Sequence, residues 1–359
     1  MKDSLGLYLH IPYCLAKCRY CDFYSAGGSR CVPDDYINAL LRELKRLRGR
    51  RPATVYFGGG TPSLLSPAQA AKLIDAADPL PGAEITLEAN PETVTLDSLA
   101  GFRAAGVNRI SFGVQSAYDE QLQRLGRPHT AQQAKQALLW AGQAGFTNIS
   151  GDIMMALPHY SCREFDETLS LLQQGGATHI SAYLLKIEPG TAFGKHPPEG
   201  LPTPDEAADF YLYAVNRLEE TGYRQYEISN FARPGFEGKH NLLYWNCMDY
   251  WGLGPGAHSC VANRRFYWPG STSAFVLPGC EPVPDGGCNA EDYLLMRLRL
   301  RDGLDLGVWK AQWGGEFSAR QLAFIKRCVQ AGYAVFDGKN LALTPTGLIV
   351  QNSILEELI

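Results

Sequence analysis

The chain has 359 residues, 45% hydrophobic and 19% charged, so it can bury a large core and does not have the composition of a disordered protein. Its formal net charge is −4, from 33 basic and 37 acidic residues, and no basic run is interleaved with aromatics, which argues against a nucleic-acid partner. No apolar run approaches the roughly 18 residues of a membrane-spanning helix. The N-terminus lacks a signal-peptide pattern, so we expect a cytoplasmic protein with reduced cysteines.

Strand-like and helix-like segments alternate through the first two thirds of the chain. Runs rich in β-branched and aromatic residues begin near Leu5, Thr54, Ile85, Arg109, Asn148 and His179. Capping-box pairs predict helix starts at Ser66 with Gln69, Thr130 with Gln133, and Ser161 with Glu164. Six βα repeats predict an α/β fold with a parallel sheet, either a partial barrel or doubly wound.

The last third of the chain is less regular. A Pro-rich break over 195–204 precedes a predicted helix over 205–220, and the stretch 226–267 is irregular and aromatic. Residues 278–287 are rich in Pro and Gly and predict a linker. We therefore expect a core over 1–225, an extension over 226–277, a linker over 278–290, and a small helical domain with a hairpin over 291–359.

Three cysteines follow the first predicted strand in a C-x₃-C-x₂-C spacing, at Cys14, Cys18 and Cys21. A [4Fe-4S] cluster held by three thiolates leaves one iron free to bind a small molecule. The spacing alone leaves two other interpretations open. One is a Cys₃His zinc site that includes His10, and the other is a purely structural role. None of the other seven cysteines forms a second ligand spacing, so we expect them to be structural or incidental.

Glycine or polar residues follow each of the next four predicted strands. These are the segment Gly58-Gly59-Gly60-Thr61-Pro62, then Glu88, then Gln115 with Arg127 twelve residues later, and then Asp152. Singly, each has a structural explanation, such as a tight turn or a cap. Ligands of barrel-type α/β folds bind at the carboxyl ends of the strands, so the recurrence predicts a ligand site there.

With these motifs the chain resembles the radical S-adenosylmethionine (SAM) enzymes, and its GGGTP segment is typical of their HemN-like branch. The resemblance covers nearly the whole chain. It implies an α/β fold, a partial (β/α)₆ TIM-like barrel with a small C-terminal helical, winged-helix-like domain. It also implies that Cys14, Cys18 and Cys21 hold a [4Fe-4S] cluster whose open iron binds SAM. The SAM contacts that it implies are Tyr8, Tyr20, Gly59, Gly60, Thr61, Glu88, Gln115, Arg127 and Asp152.

Two features distinguish between the subfamilies of that branch. Anaerobic coproporphyrinogen III oxidases carry a fourth cysteine two residues after the third and an N-terminal extension, but this chain has Asp22-Phe23 there and 13 residues before Cys14. The segment His240-Asn-Leu-Leu-Tyr-Trp245 is instead similar to the HNxxYW element of HemW-type haem chaperones, whose histidine is implicated in haem binding. A neutral imidazole is a good iron ligand. A histidine beside Tyr and Trp is more often structural, and His258 is a competing candidate.

The resemblance thus implies a haem chaperone that binds haem, a [4Fe-4S] cluster and SAM, and transfers haem to an acceptor haemoprotein such as one of the respiratory chain. It implies an electron donor to the cluster, and any contact with membrane proteins would be transient. The alternatives are an oxygen-independent coproporphyrinogen III dehydrogenase, another HemN-like enzyme such as a methyltransferase or cyclopropanase, and a zinc-binding structural protein. Whether the protein cleaves SAM, and so acts as an enzyme, is left open.

Overall fold

The computed structural model describes residues 4–359. The first part of the chain alternates strand and helix, as predicted. Its elements are β1 (Leu5–Ile11), α1 (Asp34–Leu44), β2 (Pro52–Gly59), α2 (Pro67–Ala77), β3 (Glu84–Ala89), α3 (Leu96–Ala104), β4 (Arg109–Gln115), α4 (Asp119–Leu125), α5 (Ala131–Gln143), β5 (Asn148–Met155), α6 (Cys162–Gln174), β6 (His179–Leu184), α7 (Ala192–Lys195) and α8 (Pro204–Glu220).

The rest of the chain contains shorter elements. They are β7 (Arg224–Gln225), β8 (Asn230–Ala232), α9 (Lys239–Trp245), β9 (Tyr250–Leu253), β10 (His258–Val261), β11 (Arg264–Tyr267), α10 (Thr272–Val276), β12 (Val283–Pro284), α11 (Ala290–Arg297), β13 (Leu304–Asp305), α12 (Leu306–Trp313), α13 (Ala319–Gln330), β14 (Ala334–Phe336), β15 (Asn340–Leu343), α14 (Pro345–Ile349) and α15 (Gln351–Leu358). Short 3₁₀ turns lie at Lys45–Leu47, Pro62–Leu64 and Pro91–Thr93.

Strands β1 to β6 are parallel and lie in sequence order, which confirms the predicted α/β fold with a parallel sheet. The sheet does not close into a full barrel, because β9 pairs with the free edge of β1 and β8 with that of β6. Strands β10, β11 and β12 continue the sheet beyond β9 in antiparallel pairs. In this part of the fold, all six carboxyl ends therefore lie at one end of the sheet.

The two faces of these strands carry different chemistry. The alternating residues Leu5, Leu7, Leu9 and Ile11 of β1 belong to the main hydrophobic core, between the sheet and its helices. The residues between them, and those in register on the neighbouring strands, are mostly glycine or polar and face the interior of the curved sheet. The concave interior is thus polar, and the apolar core lies on the outer face.

The predicted helix signals are present in the structure. Ser66, Thr130 and Ser161 each form a reciprocal capping box at the start of a helix. Gly106 and Gly145, two residues after α3 and α5, have φ values of +108° and +88°. Because this conformation strains residues with a side chain, glycine ends these helices at little cost.

The segment 226–267, which the sequence predicts to be irregular, contains β8, α9, β9, β10 and β11. These elements have three to seven residues, too few to give a recognisable period. Within the predicted linker, Val283–Pro284 pairs with β11 as the outermost strand. The predicted domain boundaries remain predictions.

The C-terminal part of the chain has its own hydrophobic cluster, which includes Trp309, Ile325 and Leu355, and a three-stranded sheet in the order β13, β15, β14. It is joined to the first part by a backbone bridge between Glu227 and Leu300 and by packing of α14 against α8. Within residues 4–359, no helix has the length and apolar character needed to cross a membrane.

Candidate cofactor site

The loop after β1 and the carboxyl ends of β2 to β6 surround a cleft of about 380 Å³. The structure brings most of the predicted site residues to this cleft. They are Cys14, Cys18, Tyr20, Cys21, Gly59, Gly60, Thr61, Glu88, Gln115, Arg127 and Asp152. Their convergence follows from the parallel sheet, in which each strand delivers its last residues to the same end.

Backbone contacts hold the cysteine loop against the glycine segment. The amide of Gly60 donates to the carbonyl of Ile11 at 2.9 Å, and that of Thr61 to Tyr13 at 2.8 Å. A Cβ at Gly60 would lie 2.7 Å from the Ile11 oxygen, and one at Gly59 would collide with the ring of His10. These glycines are therefore required for packing within the chain, independently of any contact with a ligand.

The three motif cysteines are free thiols that line one cleft. In the described part of the chain, no three His, Cys, Asp or Glu side chains converge closely enough to hold one metal ion. His10, the fourth ligand of the alternative Cys₃His zinc site, does not line the cleft, and its ring nitrogens lie 3.0 Å from the Tyr8 hydroxyl and 2.8 Å from the Tyr24 carbonyl oxygen. A four-iron cluster places each thiolate on a different iron atom, so separated thiols around a shared cleft fit it.

Arg127 connects the cysteine loop to the strand ends. Its Nη1 donates to Cys18 Sγ at 3.4 Å, and its Nη2 donates to Asn90 Oδ1 and to the Gly113 carbonyl, both at 2.7 Å. The sequence analysis did not single out Asn90 and Gly113. Both lie at strand ends, where the same search for polar or glycine residues would have found them. The guanidinium places a fixed positive charge beside the thiol of Cys18.

Two carboxyl groups also line the cleft. Burial raises the pKa of Glu88 to about 7, although Oε1 accepts from Tyr56 at 2.7 Å and Oε2 from the Gly59 amide at 3.2 Å. Burial also raises the pKa of Asp152 to about 6, opposed by hydrogen bonds from Ser181 and Ser111. Both groups are suited to accept hydrogen bonds from the hydroxyl or ammonium groups of a ligand.

Gln115 combines backbone strain with an unsatisfied polar atom. Its φ of +68° is in the left-handed region, which is uncommon for a residue with a side chain. Its buried Oε1 has no hydrogen-bond partner among residues 4–359. Strain and an unpaired acceptor in one cleft residue are typical of a ligand contact.

Tyr8 is the one predicted SAM contact that does not line this cleft. It lies inside the curved sheet, with its hydroxyl 3.0 Å from His10 Nδ1, and burial raises its pKa. Tyr183, at the end of β6, lines the cleft although the sequence analysis did not select it. Alternation from His179 through Ser181 places Tyr183 on the inward face, a signal that the sequence already contained.

His240 lies at the opposite end of the strands. Its neighbours are Thr54 and Gly6, at the start of β2 and β1, whereas the cysteine loop follows Ile11, about 17 Å further along β1. The side chain is buried, with Nδ1 2.7 Å from Thr54 Oγ1 and Nε2 2.6 Å from the hydroxyl of Tyr244. Both ring nitrogens are therefore engaged, and burial lowers the pKa to about 3.

His258, the competing candidate, is an exposed residue of β10 whose ring stacks on Tyr267. It does not line the cleft at the carboxyl ends. Two of the remaining cysteines, Cys260 and Cys288, lie with their sulfur atoms 3.5 Å apart. The two cysteines are 28 residues apart in the sequence, so no spacing pattern predicted that they would lie together.

Comparisons with known proteins agree with these features. A family model described as "Radical SAM superfamily" matches residues 8–172, and one described as "HemN C-terminal domain" matches residues 289–350. "Heme chaperone HemW" of Escherichia coli (strain K12) is 45% identical over 266 residues, 72% of this chain and 70% of that protein. "Heme chaperone HemW" of Mycobacterium tuberculosis (strain ATCC 25618 / H37Rv) is 35% identical over an alignment of 381 residues, 99% of this chain and 95% of that protein.

A solved structure extends the comparison to the fold. Coproporphyrinogen III oxidase (HemN) from Escherichia coli superposes with a TM-score of 0.83 and 23% sequence identity, covering 99% of this chain and 89% of that chain. At this identity the likeness shows a shared fold, with the C-terminal part included.

Proposed function

The chain belongs to the HemW family within the radical SAM superfamily, and from this premise we propose that it is a haem chaperone that binds haem, a [4Fe-4S] cluster and SAM. It passes haem to an acceptor haemoprotein. The observation that carries the proposal is a cleft that combines three free thiols with strand-end polar groups, in a chain that aligns with HemW over nearly its whole length.

Cys14, Cys18 and Cys21 would hold the cluster, and Arg127 would donate a hydrogen bond to the sulfur of Cys18. When bound, the cluster would supply an open iron for SAM and an electron for its cleavage. Glu88 and Asp152 would accept hydrogen bonds from SAM, and Gln115 would use its unpaired Oε1. Tyr20 and the backbone of Gly59, Gly60 and Thr61 complete the proposed SAM site.

His240 remains the residue that the HNxxYW resemblance proposes as haem ligand. To bind iron it would have to give up its hydrogen bond to Thr54 or to Tyr244 and become accessible. The titration below tests this role directly.

The acceptor is proposed to be a haemoprotein, for instance one of the respiratory chain, and the cluster would need an electron donor. We propose a cytoplasmic location. An oxygen-independent coproporphyrinogen III dehydrogenase is the alternative that the names of the relatives do not favour. Asp22 and Phe23 also stand where that enzyme has its fourth cysteine.

An anaerobic haem titration of cluster-reconstituted protein, followed by Soret absorbance, tests the proposal. We expect saturation near one haem per chain. His240→Ala measures the contribution of the HNxxYW histidine, and His258→Ala serves as a matched control at an exposed histidine. Absence of stoichiometric binding to the unmodified protein would refute the chaperone function and lead to an assay of coproporphyrinogen conversion.

A further inference from the structure

A second cleft, of about 720 Å³, lies between the carboxyl end of β6, the start of α8, and helices α14 and α15. Its lining is mostly apolar, with Leu184, Ile187 and Leu201 on one side and Ile349 of α14 on another. Cofactor sites in proteins have this character, an apolar lining with a few polar groups and a volume of about 300–1,000 Å³.

This cleft adjoins the proposed cofactor site. Tyr183, Leu184, Leu185 and Lys186 line both clefts. Tyr183 and Leu184 are each 39% exposed, so two large apolar side chains at the end of β6 are only partly covered. Adjacent exposed apolar residues in a concave surface are typical of a binding site.

One buried polar group in this cleft has no partner. Gln351 is buried and lines the cleft, and its Nε2 donates to no acceptor among residues 4–359. An unpaired buried donor costs about 1–3 kcal/mol, a penalty that a bound acceptor would remove. Lys186 adds an exposed cation at the rim, paired with Glu188 at 2.6 Å.

We propose that the haem of the proposed function binds in this second cleft, with its apolar ring between α8 and α14 and a propionate carboxylate on the amide of Gln351. The inference rests on the proposed function and specifies its site. The apolar walls match a porphyrin, and the unpaired amide and Lys186 match its carboxylates. This site is the alternative to a haem held by His240, a residue that is 1% exposed and lies at the other end of the strands, and one haem per chain cannot occupy both places. With haem in the second cleft, His240→Ala should leave the haem affinity unchanged.

Both halves of the chain contribute to this cleft, because α8 belongs to the first part and α14 to the C-terminal part. Packing of α14 against α8 therefore sets the width of the cleft. Haem bound there would lie beside the proposed SAM site and directly against the C-terminal part of the chain.

The experiment is a haem titration of the cluster-reconstituted protein and of variants with substitutions in the second cleft. Ala207→Trp places a large side chain into the cleft from the half-buried face of α8, and we expect it to weaken haem binding at least tenfold. Ala104→Trp, on the exposed face of α3, is the matched control and should leave the affinity unchanged. Gln351→Leu should weaken binding by about threefold to tenfold and leave the folded state at least as stable, because it removes an unpaired donor.

Leu184→Asp and Leu139→Asp form a second matched pair, since the two leucines are 39% and 41% exposed. Only Leu184→Asp should reduce haem affinity. Metal-free protoporphyrin IX should compete with haem in the unmodified protein, because the cleft recognises the ring and its carboxylates. If the unmodified protein binds haem and the three cleft variants bind it equally well, the inference is overturned while the chaperone function stands. If the unmodified protein binds no haem, both fail.

Discussion

Oγ1 of Thr54 and Nδ1 of His240 lie 2.7 Å apart, so the histidine of the HNxxYW element is hydrogen-bonded to the start of β2. The spacing of four residues between His240 and Tyr244 places both on one face of α9, where Nε2 and the phenol hydroxyl lie 2.6 Å apart. This side chain therefore attaches α9 to the amino end of the sheet.

Thr54→Val should destabilise the protein, because it removes the partner of a buried imidazole nitrogen while nearly preserving side-chain volume. The expected loss is about 1–3 kcal/mol of unfolding free energy, measured by urea denaturation. Thr54→Ser retains the hydroxyl and is the control. An unchanged midpoint for Thr54→Val would show that this hydrogen bond contributes nothing to stability.

His240 should make the protein less stable in acid. Its pKa is about 3 in the folded protein against an ordinary value of 6.5, so the unfolded chain binds the proton first as the pH falls. The stability that the neutral imidazole contributes is complete above pH 6.5. It is lost as the pH falls towards 3, by up to about 1.4 kcal/mol of unfolding free energy per pH unit. The denaturation free energy of His240→Gln should vary less over this window than that of the unmodified protein or of His196→Gln, at an exposed histidine.

Glu227 should have the opposite dependence. Burial raises the pKa of this carboxyl to about 7, and its Oε2 has no partner in the described part of the chain. Stability from the protonated form is complete below about pH 4.5 and is lost as the pH rises to 7, again by up to about 1.4 kcal/mol per pH unit. The unfolding free energy of Glu227→Gln, compared with that of the unmodified protein at the same pH, should therefore be more favourable at pH 8 than at pH 5. Equal differences at both pH values would contradict the prediction.

Arg127→Gln should lower the reduction potential of a reconstituted cluster. The guanidinium donates to Cys18 Sγ, and its positive charge favours the more negative, reduced cluster. We expect a fall on the order of 50 mV, equivalent to about 1 kcal/mol for a one-electron couple, in a redox titration followed by electron paramagnetic resonance. Arg124→Gln, whose guanidinium bonds to the Pro158 carbonyl instead, is the control and should leave the potential unchanged.

Cys288 should react readily with alkylating reagents near neutral pH. The hydrogen bond from Cys260 lowers its pKa to about 7, and the thiolate is the reactive form. Labelling with iodoacetamide across pH, followed by peptide mass spectrometry, should give a midpoint below that of an ordinary cysteine thiol. Cys260→Ala should move the midpoint upward, and a midpoint that stays in place would show that Cys260 is not the cause.

The sequence predicted the six strands and the residues at their ends because both follow from local patterns. The sequential strand order was implied only by the family resemblance, because periodicity left a doubly wound sheet open. Runs of β-branched residues marked β1 to β6, and the parallel sheet brought Glu88, Gln115 and Asp152 to one cleft. The environment of His240 was not predictable, because its partner Thr54 is 186 residues away in the chain. The proximity of Cys260 to Cys288 was not predictable either. It depends on the position of β10, a strand of 4 residues that is too short to produce a recognisable sequence pattern.

The inward and outward residues of β1 to β6 should differ in how well they tolerate substitution. The outward residues of β1 to β6 are held by packing, so exchanges among similar apolar side chains there should cost little. Many inward residues are held by side-chain hydrogen bonds such as that of Tyr56 with Glu88, which an apolar replacement would break. Divergence of ligand preference in such proteins would therefore proceed through the inward positions and would cost stability wherever it broke such a hydrogen bond, whereas the outer core can change without altering the ligand site.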